Sequence, residues 1–291
     1  MKILISDPFS KDLLDKLKEF GEVTDNREEL PEADIVLVRS ATKATKEYID
    51  TAKNLKMIIR GGVGIDNIDV SYAKSKGIKV HNTPEASSIA VAELAFAMML
   101  AIQRNIVRPH NTTKNHEWIK KQLKGQELYK KTLGLIGIGL IGTEVAKRAQ
   151  AFGMNVIAYR KSDKPSDYAK IVGLDELLSQ SDIISLHTPI TEETKGIINK
   201  DTIAKMKDGV IIINTARGKL IVDEDLADAL KSGKVRYAGI DVYHAEPPKD
   251  SPLLDVDNIL LIPHLGAQTY ENMGRIGEIV IKLVSDHVKS P

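Results

Sequence analysis

An apolar strand that runs directly into a glycine-rich turn gives the clearest chemical signal in the chain. The turn reads GIGLIG, so Gly137, Gly139 and Gly142 have the spacing G-x-G-x-x-G. The first glycine permits the tight turn, the second lets backbone N–H groups approach a pyrophosphate, and the third lets the following helix pack closely on the strand. The helix N-terminus, at Leu140 and Ile141, adds unpaired N–H donors and the positive end of its dipole. We therefore predict a dinucleotide site here.

Three ionisable side chains follow later strands of the same half of the chain. They are Arg217, Glu246 and His264. Ligands of open α/β sheets bind at the carboxyl ends of the strands, so we expect these side chains at one edge. Arginine binds carboxylates with a planar fork, a glutamate can orient and charge an imidazole, and histidine can transfer a proton. Any one of them alone would more often be structural, and Asp241, which follows the same strand as Glu246, could simply cap a turn.

A second polar cluster lies in the first third of the chain. Arg39 and Ser40 follow one apolar run, and Gly62, Val63 and Gly64 follow the next. Backbone N–H groups of such glycines can surround an oxyanion, to which Arg39 and Ser40 would add a charge and a hydroxyl. The alternative is a tight strand-to-helix turn without a ligand. We favour the anion site because both clusters would face one cleft.

Short apolar runs alternate with helical patterns throughout, which is typical of β-α units around parallel sheets. Four strands are predicted in the first series and six in the second, with a crossing helix from about Ser87 to Asn105 between them. The last helix, Thr269 to Lys289, has no strand left to serve in the second series and is expected to return to the first domain. The predicted fold is α/β with two doubly wound parallel-sheet domains, a flavodoxin-like substrate domain (residues 1–97 and 269–291) and a Rossmann nucleotide-binding domain (98–268).

Composition excludes several classes of function. Lys and Arg number 41 against 40 Asp and Glu, so the net charge of +1 gives no global field for nucleic acid or an anionic membrane. Cysteine is absent, which removes disulfides and thiolate metal sites, and no other metal-ligand spacing is present. The apolar run at the N-terminus is too short for a signal peptide, and Ile89 to Ile102 is too short to span a bilayer. We expect a cytoplasmic location.

Taken together, these residues resemble the family of D-isomer-specific 2-hydroxyacid dehydrogenases, and within it the phosphoglycerate branch. The resemblance covers nearly all 291 residues. It is carried by the glycine turn and by the segments VRSATK (38–43), GVGIDN (62–67), HNTP (81–84), NTARG (214–218), DVYHAEPP (241–248) and PHLGA (263–267).

The resemblance implies a role for each site residue. Arg217 would bind and polarise the substrate, His264 would be the acid/base, and Glu246 would pair with His264. The substrate carboxylate would lie on Gly62, Val63 and Gly64, with Asn82 nearby, and the distal phosphate near Arg39 and Ser40. The cofactor would be contacted by the glycine turn and, in addition, by Arg160, Thr188, Thr215, Ala216, Asp241, Gly266 and Ala267, with Asp241 on the nicotinamide side. His187 is expected to line the cleft without titrating.

The implied reaction is reversible hydride transfer between C2 of a D-2-hydroxy acid and a nicotinamide cofactor. D-3-phosphoglycerate, oxidised to 3-phosphohydroxypyruvate in serine biosynthesis, is the favoured substrate. Glyoxylate, hydroxypyruvate or pyruvate reduction is the alternative within the family, and a dinucleotide-sensing corepressor-like protein is the alternative outside it. The family also implies a homodimer in contact through Ile89 to Ile102. Because the sequence stops after the last helix, we expect neither a regulatory domain nor feedback inhibition by serine.

One position departs from the family pattern. NAD-using relatives place Asp at the end of the second nucleotide strand, where this chain has Arg160 followed by Lys161. A carboxylate there would accept hydrogen bonds from the ribose hydroxyls, whereas two basic residues suit a 2′-phosphate. The overall match favours NAD, and NADP remains possible.

Overall fold

The computed structural model describes residues 1–162 and 164–289. They form two compact units, one from residues 1–90 with the stretch from Ala267 onward, and the other from Val91–Gly266. The sequence places the boundaries after residues 97 and 268, and the units divide after residues 90 and 266. Residues 290 and 291, which the sequence assigns to the first domain, lie outside the described residues.

The first unit contains a five-stranded parallel sheet in the order β2-β1-β3-β4-β5, which is the flavodoxin-like order. The third strand, for example, is the fully apolar IVLV, as expected for a strand buried on both faces. The elements in chain order are β1 (Lys2–Ile5), α1 (Lys11–Leu17), β2 (Glu22–Thr24), β3 (Ile35–Val38), α2 (Lys46–Thr51), β4 (Met57–Arg60), α3 (Val70–Ser75) and β5 (Lys79–Asn82).

The second unit contains a seven-stranded parallel sheet in the order β12-β11-β10-β9-β6-β7-β8, the Rossmann order extended by one strand. Its elements are α4 (Ser88–Gln103, begun in the first unit), α5 (Val107–Lys114), β6 (Thr132–Ile136), α6 (Leu140–Ala151), β7 (Asn155–Tyr159), β8 (Lys170–Ile171), α7 (Leu174–Gln180), β9 (Ile183–Leu186), α8 (Lys200–Ala204), β10 (Val210–Asn214), α9 (Asp223–Ser232), β11 (Val235–Ile240) and β12 (Ile259–Leu261).

The last helix, α10 (Tyr270–Lys289), packs on the sheet of the first unit. Its buried Ile276, Val280 and Val284 share a core with Ile3 and Ile59 of that sheet. The helix has apolar side chains along one face and charged side chains along the other. The apolar face is therefore buried only when it packs on another element, here the sheet of the first unit.

The fold class predicted from the sequence is confirmed, but the strand count is wrong in both sheets. β2 and β8 are additional edge strands of three and two residues. Neither contains a continuous apolar run, because an edge strand of this length buries little surface. In the described residues, no single helix is long and apolar enough to cross a membrane, although α4 and α5, bent by 61° at their junction, pass that test as a pair.

Candidate active site

The glycine turn has the geometry that its sequence implies. Gly137 has φ +98°, and a Cβ on it would lie 2.4 Å from the backbone oxygen of His187. A Cβ on Gly142 would lie 2.4 Å from the carbonyl oxygen of Gly137, so this glycine lets α6 approach the strand. Within the described residues, a Cβ on Gly139 would meet no heavy atom within 4 Å. Gly139 therefore faces open space that a ligand could enter.

The start of α6 leaves its N–H groups available to an anion. Gly139 is the N-cap, and among the described residues no side chain caps the helix. The helix has twelve residues, so its dipole is fully developed at Leu140 and Ile141. A cavity of about 620 Å³ adjoins this end and is lined by Gly137, Gly139, Arg160, His187 and Thr188, among others. Its position at the carboxyl ends of β6, β7 and β9 fits a dinucleotide.

His187, at the end of β9, is held neutral beside this cavity. Its Nε2 lies 2.8 Å from the Ser185 hydroxyl, and burial lowers the pKa of His187 to about 3. The Nδ1 atom is buried without a hydrogen-bond partner among residues 1–162 and 164–289. His187 is therefore not a general acid or base at ordinary pH, which agrees with the role expected from the sequence.

His264 and Glu246 form a close pair in the second unit. Nδ1 of His264 lies 2.8 Å from Oε2 of Glu246, and the two side chains are 36% and 39% exposed. Burial acts to raise the pKa of Glu246, but the hydrogen bond and charge of His264, the N–H of Tyr243 and the charge of Arg217 outweigh it and leave that pKa below its ordinary value. Glu246 is thus ionised at neutral pH.

The loop that carries His264 is held by residues that follow β11. Asp241 is fully buried and accepts hydrogen bonds from the N–H groups of Leu265 (2.6 Å) and Gly266 (3.0 Å). The Tyr243 hydroxyl donates to the Ile262 carbonyl at 2.9 Å. These bonds stabilise the left-handed conformation of His264, whose φ is +55°.

Asp241 does cap a turn, as the structural alternative suggested. Both of its carboxylate oxygens hold the His264 loop. Burial is the main cause that raises the pKa of Asp241, and these hydrogen bonds oppose it.

Arg217 is brought to the same loops by two local features. Asn214, the last residue of β10, donates to the Arg217 carbonyl (2.8 Å) and accepts from the Ala216 N–H (3.0 Å). Gly218 lies so close to the following loop that a Cβ on it would be 2.1 Å from the carbonyl carbon of Tyr243. Arg217 is consequently near enough to Glu246 for its charge to lower the pKa of that carboxyl. Sequence reasoning missed Gly218, although the small residue directly after the arginine was visible.

The remaining residues predicted to contact the cofactor fall into three groups. Thr188 lines the cavity, as does Arg160. The Thr215 hydroxyl is buried and has no hydrogen-bond partner among the described residues, which is the kind of atom that a ligand satisfies. Ala216 and Gly266 belong to the second unit, whereas Ala267 belongs to the first, where its carbonyl accepts from Asn272 at 2.6 Å.

In the first unit, the loop after β3 is fixed by the buried carboxylate of Asp7. This carboxylate accepts from the backbone N–H groups of Arg39 (2.5 Å) and Thr42 (3.1 Å), and from the Thr42 hydroxyl at 2.6 Å. Asn67 donates to the carbonyls of Arg39 (2.8 Å) and Thr42 (2.6 Å). Burial lowers the pKa of Arg39, and the nearby charge of Asp7 acts in the opposite direction. The loop thus presents a partly desolvated cation with an exposed Ser40 beside it.

The loop after β4 is equally constrained. Gly62 has φ +147°, and a Cβ on it would lie 1.8 Å from Nη1 of Arg60, so the guanidinium packs directly on the glycine. Asn82 donates its side-chain N–H to the Val63 carbonyl and so holds the loop, which includes Gly64. Sequence reasoning did not single out Arg60, although a strand-end arginine was the available signal. Among the described residues, no cluster of three or more His, Asp or Glu could hold a metal ion.

Comparison with known proteins identifies the family of the chain. Residues 96–266 match the family model described as "D-isomer specific 2-hydroxyacid dehydrogenase, NAD binding domain". The chain belongs to the family of D-isomer-specific 2-hydroxyacid dehydrogenases. It therefore contains an NAD(P)-binding domain, and its family is one of hydride-transferring enzymes.

Two sequence relatives carry different names. A hydroxypyruvate reductase of Thermotoga maritima is 51% identical over 98% of this chain and 98% of its own length. A D-3-phosphoglycerate dehydrogenase of Methanocaldococcus jannaschii is 47% identical over 98% of this chain, and the match spans 57% of that protein. Among solved structures, an acyclic imino acid reductase in complex with NADPH and D-Arg superposes with a TM-score of 0.91 at 34% identity, covering 99% of this chain and 97% of that one.

Proposed function

We propose that the protein interconverts a D-2-hydroxy acid and its 2-oxo acid with a nicotinamide cofactor, and that D-3-phosphoglycerate is the hydroxy acid. The observation that carries the reaction is the pair formed by His264 and Glu246, with an Nδ1–Oε2 distance of 2.8 Å. An imidazole whose Nδ1 is hydrogen-bonded to an ionised carboxylate is suited to exchange a proton through its Nε2.

Each residue of the set has a distinct task. In oxidation, Nε2 of His264 accepts the proton of the C2 hydroxyl as hydride leaves C2, and in reduction the same nitrogen returns that proton to the carbonyl oxygen. Glu246 stabilises the imidazolium, and Arg217 binds the substrate oxygens with its guanidinium. The nicotinamide ring, when bound, accepts or supplies the hydride.

The phosphate preference rests on the first unit. Arg39 is partly desolvated, which strengthens its interaction with an anion, and Ser40 adds an exposed hydroxyl. We propose that these two bind the phosphate and that the N–H groups of Gly62, Val63 and Gly64 bind the carboxylate. Hydroxypyruvate is the second candidate substrate, because the Thermotoga maritima relative of that name matches this chain end to end.

We propose NAD as the cofactor, held at the pyrophosphate by the N-terminus of α6. Arg160 lines the cavity and is partly exposed, so it can turn into solvent when no phosphate is present.

Initial rates with a panel of substrates and both cofactors test the proposal. We expect kcat/KM for 3-phosphohydroxypyruvate to exceed that for hydroxypyruvate, glyoxylate and pyruvate by about tenfold or more, the effect of one charge-assisted contact. His264→Asn should abolish turnover while NADH binding, followed by fluorescence, stays unchanged. Higher kcat/KM for hydroxypyruvate would overturn the substrate, and full activity of His264→Asn would overturn the mechanism.

We also propose a homodimer. Most apolar side chains between Ile89 and Ile102 are buried inside the second unit, including Phe96, Met98 and Met99. Trp118 is 81% exposed, and Ile106 and Val107 are about half exposed, so the segment after α4 is better suited to a subunit contact. Sedimentation of the parent and of Trp118→Ala checks this: a parent that stays monomeric at micromolar concentration contradicts it.

A further inference from the structure

Four charged side chains line the cofactor cavity. Arg160 and Lys161 follow β7, and Glu192 and Glu193 lie in the loop after β9. This inference rests on the proposed function, in which the cavity binds a nicotinamide dinucleotide. Position 160 lies about 20 residues beyond the glycine turn, where nucleotide folds of this type hold the adenosine ribose. The end of the cavity beside Arg160 would therefore hold the part of the cofactor that distinguishes NAD from NADP.

Lys161 and Glu193 form an ion pair across the cavity. Nζ of Lys161 lies 2.6 Å from Oε1 of Glu193, although the residues are 32 positions apart in sequence. The hydrogen bond to Glu193 and its charge raise the pKa of Lys161. The two side chains are 81% and 67% exposed, so the pair contributes little to stability, and its importance lies in where it holds the lysine.

The loop that presents Glu193 is itself well ordered by hydrogen bonds. The Thr194 hydroxyl donates to the Pro189 carbonyl at 2.7 Å and accepts from the Thr191 N–H at 2.8 Å. The Thr194 N–H also lies 3.2 Å from the Thr191 hydroxyl. The backbone on either side of Glu193 is thus fixed, and its carboxylate is presented to the ribose end of the cavity rather than carried on a loose loop.

We propose that Glu193 selects NAD over NADP by engaging Lys161. A 2′-phosphate requires cationic partners. Lys161, the cation that follows Arg160, is already bonded to the carboxylate of Glu193. Basic residues at positions 160 and 161 would by themselves favour NADP, and the carboxylate opposite them removes that preference.

Isothermal titration of the full chain with NAD⁺ and with NADP⁺ tests the proposal without depending on turnover. Glu193→Gln should bind NADP⁺ about tenfold more tightly, the low end for a charge-assisted hydrogen bond, with NAD⁺ affinity within about twofold of the parent. Glu192→Gln is the matched control, because it removes the same charge from the same loop but leaves the ion pair in place. We expect its NADP⁺ affinity to change by less than about threefold.

A double variant shows whether the gain in NADP⁺ affinity comes from the released Lys161 or from the loss of the negative charge of Glu193. In Lys161→Gln/Glu193→Gln the gain for NADP⁺ should disappear. The same pattern should hold for the fragments 2′,5′-ADP and 5′-AMP, which sample the adenosine end alone. Equal gains in the two single Gln variants, or none in Glu193→Gln, would overturn the proposal while the proposed reaction stands. A parent that binds neither dinucleotide would overturn the proposed function and this inference together.

Discussion

His187 is predicted to make the folded protein less stable in mild acid, and the size of the effect follows from its burial. The pKa of His187 is lowered from 6.5 to about 3. Below pH 6.5 this residue therefore binds a proton in the unfolded chain but not in the folded one. Because the unfolded state binds more protons between pH 6.5 and 3, stability falls as pH falls through that range. For these two values, the loss between pH 7 and pH 5 is about 2 kcal/mol.

Urea unfolding of the parent and of His187→Gln at pH 7 and pH 5 measures this loss. The substitution also changes packing, and this change lowers the free energy of unfolding equally at both pH values. Subtracting the destabilisation at pH 5 from that at pH 7 therefore leaves only the effect of protonating His187. We expect the variant to be relatively more stable at pH 5 by about 2 kcal/mol. Equal destabilisation of His187→Gln at both pH values, or an NMR titration of this ring above pH 5, would refute the reasoning.

Three further outcomes follow from the site. Arg39→Ala should raise KM for 3-phosphoglycerate by about ten- to a hundredfold, the range for a charge-assisted contact, and affect hydroxypyruvate little; equal losses in steady-state assays would make Arg39 structural. Glu246→Gln should lower kcat for reduction by about tenfold, because Nδ1 of His264 loses its ionised partner, and an unchanged kcat would contradict this role. Gly137→Ala should weaken NADH binding at least tenfold and lower stability by about 1–3 kcal/mol, since φ +98° and the His187 carbonyl both exclude a side chain; unchanged fluorescence titrations would contradict this.

Features encoded in consecutive residues could be predicted from the sequence. The strand Val210–Asn214, one of the six predicted in the second series, could be recognised because its apolar residues stand between clear breaks. The glycine turn was equally accessible, since Gly137 and Gly142 are each required by a backbone atom of the same β-α unit or of the adjacent strand end. The edge strand Lys170–Ile171 was missed because two residues have no periodicity to detect.

Contacts across the sheets could not be predicted in the same way. Asp7 binds the backbone of Arg39 and Thr42, and Asp241 binds that of Leu265, at sequence separations of 32, 35 and 24. Which loops meet depends on strand order, and a single sequence gives that order only through the fold class. The same limit explains why Lys161 could be recognised as basic while its carboxylate partner, Glu193, could not.

The position of α10 in the first unit has a consequence for synthesis of the chain on the ribosome. The strands β1 to β5 leave the ribosome early, but the helix that covers Ile3, Ile5 and Ile59 is translated after the whole nucleotide-binding unit. Until then one face of the first sheet has α1 but lacks the rest of its apolar cover, and it is open to aggregation or chaperone binding. The nucleotide-binding unit, by contrast, has nearly all of its strands and helices before α10 is made. We therefore expect this later unit to fold first during translation, so that the order of folding is the reverse of the order of synthesis.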